Sequence, residues 1–464
     1  MRIVRLTGLA LVWALGTTMH AQTYKVMDYF NGTPSAPSSV IAQSRGGYLV
    51  TTAVDAAPFD GVAFRVATSG TLTVLHQFSS SGGNYPNGLT LGRDGLFYGT
   101  NQVGGSSNGG TVFQMTADGT VTTLHEFDSG VDGVPYAPPV QSFYGDFYGT
   151  TNGNYVFPGD PVNADAGTVY KIDSAGNYTL LHTFTGPDGG NPVAPLVQSA
   201  TNYWFYGTTP NGGSNGEGTI FRVDSKGDFE VLHNCAFGDA TGVGPGVIIQ
   251  ATDGNFYGAT SYGGAWGQGA IFRLMPTNQM TVIHTFTGGT DGGVPGFALI
   301  QGSDGYLYGT TAQGGVAEGW EGSGTLFRVA TTGADFSVLH TFHQASGTMP
   351  VSLMQHTNGF FYGDTNEGGS ASGLGVFFRL DMGLPPFVTY LNTYGRVGMT
   401  VSLLGDGFTT SSQVKFNGVA ATEISDVENT FMKVVIPAGA TTGPITVTTT
   451  KGTLTSNRAF VVRP

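Results

Sequence analysis

A seven-part repeat spans residues 24–383 and constrains the fold more than any other feature of the chain. The phrase Phe-Tyr-Gly-Thr-Thr, or a near copy, centres on Tyr98, Tyr148, Tyr206, Tyr257, Tyr308 and Tyr362, and a degenerate first copy puts Val50 in the same place. The intervals are 48, 50, 58, 51, 51 and 54 residues. A period near fifty, rich in Gly, Thr and aromatic residues, predicts the blades of a β-propeller. Such a ring is a scaffold, so fold and function must be argued from different residues.

Each copy holds four strand-like runs. The first is nearly all apolar and follows a proline, at Pro37, Pro86, Pro135, Pro192, Pro245, Pro295 and Pro350. The second is the Tyr-Gly-Thr-Thr run, and the third centres on Phe64, Phe113, Tyr170, Phe221, Phe272, Phe327 and Phe378. The fourth carries His76, His125, His182, His233, His284 and His340. Turn dipeptides such as Asp94-Gly95 and Asp118-Gly119 separate the runs and supply the positive φ of tight hairpins. Charged residues make up only 11% of the chain and Gly contributes 75 of 464 positions, which suits short strands and tight turns over helices.

The ends are out of phase. Residues 24–30 read as a fourth strand, whereas the seventh copy stops after its third. The expectation is that residues 24–30 join residues 350–380 in one sheet and close the ring. The whole is therefore read as all-β: a seven-bladed β-propeller closed by an N-terminal strand, over residues 22–383, followed by a small immunoglobulin-like β-sandwich over 384–464. Pro385-Pro386 marks the boundary, and alternating runs with Gly turns follow it.

Residues 1–21 read as a secretory signal: Arg2 and Arg5, an apolar run Leu6–Leu15 too short to span a bilayer, and Ala21 at a cleavage site. Its removal takes away two Arg and no acid, moving the formal charge from −13 to −15. That balance, without any Lys/Arg cluster, argues against nucleic acid as a partner. The single cysteine, Cys235, excludes an intramolecular disulfide and stands where other copies place Phe, as a small apolar side chain.

The repeat resembles the GloVer tandem repeat of secreted bacterial proteins. The resemblance rests on Tyr98-Gly99-Thr100, Tyr206-Gly207-Thr208-Thr209 and Tyr308-Gly309-Thr310-Thr311, with Gly110-Thr111-Val112-Phe113 and Gly324-Thr325-Leu326-Phe327. The tail resembles an IPT/TIG module through Gly405-Asp406-Gly407-Phe408, Val414-Lys415-Phe416-Asn417-Gly418, Pro437 and Phe460-Val461-Val462. These resemblances imply export and a place outside the bacterial cell, at its surface or in the periplasm. They bring no functional residue to carry over.

Residues present once per blade are explained by the blade. The six histidines stand about fifty positions apart and cannot converge on one ion, so they read as hydrogen-bonded structural groups. Function is sought where the repeat is broken. From the Tyr position to the Gly that opens the third strand the counts are 11, 12, 19, 12, 12, 16 and 13, so the third and sixth copies carry extended loops. The first extension brings Tyr155, Asp160 and Asp165; the second brings Glu318, Trp320 and Glu321; Trp266 occupies the matching loop of the fifth copy. Blade-to-blade loops on the same face carry Asp132, Asp188, Asp239 and Asp291.

Aromatic platforms beside carboxylates suit sugar rings, which makes Trp266, Trp320, Tyr155, Glu318 and Glu321 the expected ligand-binding set. A turn-forming role competes for the Asp residues. Asp160 and Asp165 allow a calcium site, although their spacing fits no EF-hand. The expectation is a secreted, non-enzymatic binding or structural protein, monomeric and without cofactor or membrane span. Its partner would be a glycan or a cell-surface protein, with the tail as spacer or second contact module. The competing expectation is a carbohydrate-active enzyme, a glycoside hydrolase or polysaccharide lyase, with Asp132, Asp188, Asp239 or Asp291 as catalytic carboxylates.

Overall fold

The computed structural model describes residues 22–31, 37, 40–54, 61–79, 83–153, 166–238, 241–315, 322–369, 373–392 and 394–463. Among them the secondary structure is β, with one 3-10 turn at Gln344–Ser346. The repeat region folds into seven antiparallel sheets, one per copy. In the fourth, Val197–Gln198, Phe205–Thr209, Thr219–Val223 and Phe229–Asn234 lie side by side in chain order. The third and seventh sheets differ in having their first strand broken into two short pieces.

The glycines and prolines of the repeat serve one another. Gly218 opens the third strand of its sheet at φ +99°, and a Cβ there would sit 2.3 Å from Thr209 O and 2.9 Å from Cδ of Pro245 in the next sheet. The proline ring packs where no side chain fits, so the two residues recur together. Gly207 leaves room for the Phe221 ring, which a Cβ would approach to 2.5 Å. Just before the prolines the chain turns left-handed at Tyr85, Asn191, Gly244, Val294 and Met349, with φ between 52° and 62°. For Val294 this is an uncommon and costly conformation, held in place by the repeated architecture.

Successive sheets pack through their aromatics. Tyr98 stacks on Phe147 at 3.8 Å, Tyr148 on Phe205 at 3.9 Å and Tyr206 on Phe256 at 3.9 Å, and Tyr308 packs tilted against Phe361 at 4.2 Å. Each such buried ring contributes about 2–3 kcal/mol of apolar transfer. The series ends where it began: Tyr362 and Phe377 of the seventh sheet share a buried cluster with Phe64 and Val66 of the first.

The N-terminal strand, Thr23–Tyr29, pairs antiparallel with Val376–Asp381 and completes the seventh sheet. It matches a fourth strand in detail. In the fourth sheet a bulge falls between Ile220 and Phe221, so that His233 faces Ile220 and Val231 faces Phe221. In the seventh, the bulge between Val26 and Asp28 leaves Val26 opposite Phe378 and Asp28 opposite Phe377. Asp28 therefore occupies the position that histidine holds elsewhere. Phe30 then donates its backbone N–H to Gly375 O at 3.1 Å, as Cys235 does to Gly218 O at 2.9 Å.

The tail builds two four-stranded sheets around a common apolar core of Val401, Leu403, Phe416, Met432, Val447 and Phe460 among others. It lies against the ring, on the side where first and second strands turn. Arg463 donates to Tyr203 Oη at 2.7 Å and Ala200 O at 2.6 Å, and Tyr394 stacks on Phe143 at 3.8 Å. Arg45 lies 3.9 Å over Phe431 and pairs with Glu428 at 2.6 Å. Thr357 donates its hydroxyl to Gly405 O at 3.2 Å. These contacts seat the tail on the ring.

Candidate functional site

The ring has two faces with different chemistry. On the loop face stand the carboxylates that follow the fourth strands. Asp188 bonds His182 Nε2 at 2.9 Å and accepts from the backbone N–H of Thr185 at 2.8 Å. Burial raises the carboxyl pKa, but the bonds from His182 and Thr185 outweigh it and leave Asp188 below the usual carboxylate range. Asp291 caps Thr287 N at 3.0 Å and lies 3.6 Å from His284. Asp132 accepts, at longer range, from Asp128 N at 3.3 Å and Tyr178 Oη at 3.5 Å. Each aspartate is thus tied into its own loop, the turn-forming role that the sequence left open.

The histidines are fixed by stacking. His182 lies 3.7 Å from the Phe229 ring, His284 3.8 Å from Phe336 and His125 4.3 Å from Tyr178, each in the following sheet. Beside Asp188 this produces an oriented carboxylate–imidazole pair with both side chains about one-fifth exposed, 19% for His182 and 23% for Asp188. The loops of this face also show apolar groups to solvent. Phe237 is 83% exposed, Val131 68% and Trp266 66%. Tyr155, Asp160, Asp165, Asp239, Glu318, Trp320 and Glu321 lie outside the described residues. Among the described residues no three His, Cys, Asp or Glu cluster as a metal site.

The turn face carries a belt of glutamines at the first-strand ends. Gln250 accepts from Ala200 N at 2.8 Å in the previous sheet and donates to Gly254 O at 3.1 Å in its own. The same double bond recurs at Gln141, Gln198 and Gln301. Gln355 reaches Ser303 N at 2.7 Å, and Gln43 reaches Thr357 N at 3.1 Å, joining the first sheet to the seventh. Where the second sheet should reach the first, the position is Leu91. The tyrosines belong to the same face: Tyr98, Tyr257 and Tyr308 donate to Asp94, Asp253 and Asp304 within 2.8 Å.

Between this face and the tail lies a cavity of about 530 Å³. The ring contributes Arg93 and the ends of the first strands of the third to sixth sheets; the tail contributes Tyr390, Asn457 and Arg458. Arg93 donates to Ser142 O at 2.5 Å and Phe143 O at 2.6 Å, and burial lowers its pKa. Sequence reasoning missed this cavity because its wall is gathered from between residues 93 and 302 and between 390 and 461, which only the docked tail brings together. It also missed Asp364, which stands where five other copies have Thr and the fifth copy has Ala259. That carboxyl is fully buried, bonded at Oδ1 to Ser352 Oγ at 2.5 Å, and burial pushes its pKa up to about 7.

Among the described residues no helix is long and apolar enough to cross a membrane. No curated protein matches the chain in sequence. Several solved structures resemble it at low identity. A gluconolactonase from Xanthomonas campestris is 13% identical, with 63% of this chain and 87% of that one covered at a TM-score of 0.39. A luciferin-regenerating enzyme is 12% identical, covering 79% and 97%, at 0.42. A prolyl endopeptidase is 12% identical, covering 80% of this chain and 54% of its own, at 0.46. These neighbours are enzymes, and the expectation of a non-enzymatic binding or structural protein is corrected on that finding. At such distances they transfer no substrate, mechanism or residue. The sequence itself places the chain: residues 13–159 and 155–320 match the Gloeobacter/Verrucomicrobia repeat, and the protein belongs to that family.

Proposed function

We propose that the chain is an exported carbohydrate-active enzyme, a glycoside hydrolase or polysaccharide lyase, working from the loop face of a seven-bladed β-propeller. The seven sheets, the Gln43–Thr357 closure and the pairing of residues 23–29 with 376–381 support the ring. The two sheets of the tail around one core fit the IPT/TIG-like module. The signal-like residues 1–21 support secretion or a cell-surface place.

The observation that carries the reading is the Asp188–His182 pair. Asp188 stays ionised at neutral pH, its oxygens orient the imidazole, and both groups reach solvent. In this reading Asp188 accepts from His182 Nε2–H and holds the ring, and Nδ1 takes a proton. In hydrolysis it comes from a water whose oxygen bonds the anomeric carbon as the glycosidic C–O bond breaks; in elimination it comes from the carbon beside a uronate carboxyl, as a C=C bond forms and the C–O bond at the next carbon breaks. In both the leaving oxygen takes a proton from water. The exposed Phe237 and Trp266, in loops of the same face, offer stacking surfaces for sugar rings.

The test is release of reducing ends, and of unsaturated uronate absorbing in the ultraviolet, from a panel of neutral and acidic polysaccharides. Asp188→Asn should lower the rate by about 10²-fold or more with the fold intact by circular dichroism. A wild-type chain inactive on the whole panel sinks the enzyme reading. Full activity in Asp188→Asn sinks the carboxylate assignment.

A further inference from the structure

We infer that the cavity between the ring and the tail binds a small organic carboxylate, of the size of a mono- or disaccharide acid. The charge of its wall points there. The chain carries a formal charge of −13, yet the residues lining this cavity include Arg93 and Arg458 and no Asp or Glu. Among the described residues neither guanidinium has a carboxylate partner. Arg93 is half-buried and Arg458 exposed, so the cleft presents two cations without counter-charge to an anion entering from water.

The two arginines divide the work. Arg93 spends its terminal nitrogens on Ser142 O and Phe143 O, so it stands as a fixed positive charge in the floor. Arg458 is held in a different way. Its guanidinium lies 5.2 Å over the Tyr390 ring, and Tyr390 Oη in turn donates to Ala459 O at 2.7 Å. The planar fork of N–H donors is thereby presented by a braced backbone and remains available for bidentate pairing with a carboxylate. Leu196, Ile249 and Ile300 supply apolar wall for the organic body of the ligand. A volume of about 530 Å³ is in the range of small-molecule sites. The site needs both parts of the chain, which gives the docked tail a role. It lies on the face opposite Asp188 and does not depend on the loop-face reading.

The experiment uses the full chain and isothermal titration with glucuronate and digalacturonate, against glucose, the neutral disaccharide cellobiose and inorganic phosphate. Binding of the acids, with none of the neutral sugars, is the expected result. Arg458→Gln should weaken it at least about tenfold while the melting temperature of the ligand-free protein stays unchanged. Asp188→Asn should leave it as it was, which separates this site from the loop face. Equal binding of neutral sugars, binding of phosphate alone, no binding of either acid, or undiminished binding in Arg458→Gln would each overturn the assignment.

Discussion

The fourth and seventh sheets have the same strand order and the same bulge, yet they are made differently. The fourth is one continuous stretch, residues 197–234, with His233 on its outer strand and Thr208 on its second. The seventh joins residues from the two ends of the repeat region, and it places Asp28 and Asp364 at those two positions. The copy that closes the ring is thus the one that departs most from the polar pattern. Its geometry survives because aromatic packing and strand pairing define the sheet, and they tolerate a changed polar residue at moderate cost.

The largest break would come from removing residues 22–33. The seventh sheet would then lose its outer strand, the Tyr24–His340 stack at 3.6 Å and the buried Phe30. A stability loss on the order of 5 kcal/mol or more is expected from those terms together. Urea unfolding of the shortened chain checks it, and an unchanged midpoint would refute the closure.

Asp364→Thr would make the seventh sheet more like the fourth. With its folded pKa raised to about 7, Asp364 contributes most favourably when protonated, at pH below its unfolded value. That contribution falls as pH rises from the unfolded pKa through about 7, where the carboxylate must ionise in the core or the fold must hold it neutral. The substitution should therefore stabilise by roughly 2–4 kcal/mol at pH 8 and by little at pH 4. Thermal melts of both proteins across that range test the sign. A gain that does not grow with pH would mean the carboxyl is not the cause.

The smallest effects concern the glutamine belt. Gln250→Ala removes two bonds to backbone groups and should cost about 1–3 kcal/mol, and Gln43→Ala at the closing junction a similar amount. Leu91→Gln would supply the missing junction between first and second sheets, with a gain of about 0.5–1 kcal/mol. Denaturant midpoints of the three variants decide this. If Leu91→Gln destabilises, Leu91 packs in a way that the glutamine cannot replace.

The sequence was legible where the repeat forces one answer on every copy. Gly218 and Pro245 recur because the proline ring fills the space the glycine leaves, and histidine recurs in six copies as a repeated position, with nothing in the recurrence to single out His182. The out-of-phase ends announced the closing strand. The loop carboxylates were flagged by position, but whether Asp188 meets His182 depends on the turn between them. Asp364 was visible as a departure from Thr, though nothing in the string says that its carboxyl is sealed from water.

The sequence by itself determined the number of sheets, their strand order and the pairing of the chain's start with its last copy. Periodic hydrophobic and turn residues encode local structure, and local structure repeated seven times leaves few ways to close. The tertiary structure alone decided where the tail rests, which brings Arg458 and Arg93 to the wall of one cavity, and which carboxylates are absorbed by their own loops. The seating of the tail depends on contacts between segments hundreds of residues apart, which no local pattern encodes, and the carboxylates depend on the turn that each loop makes.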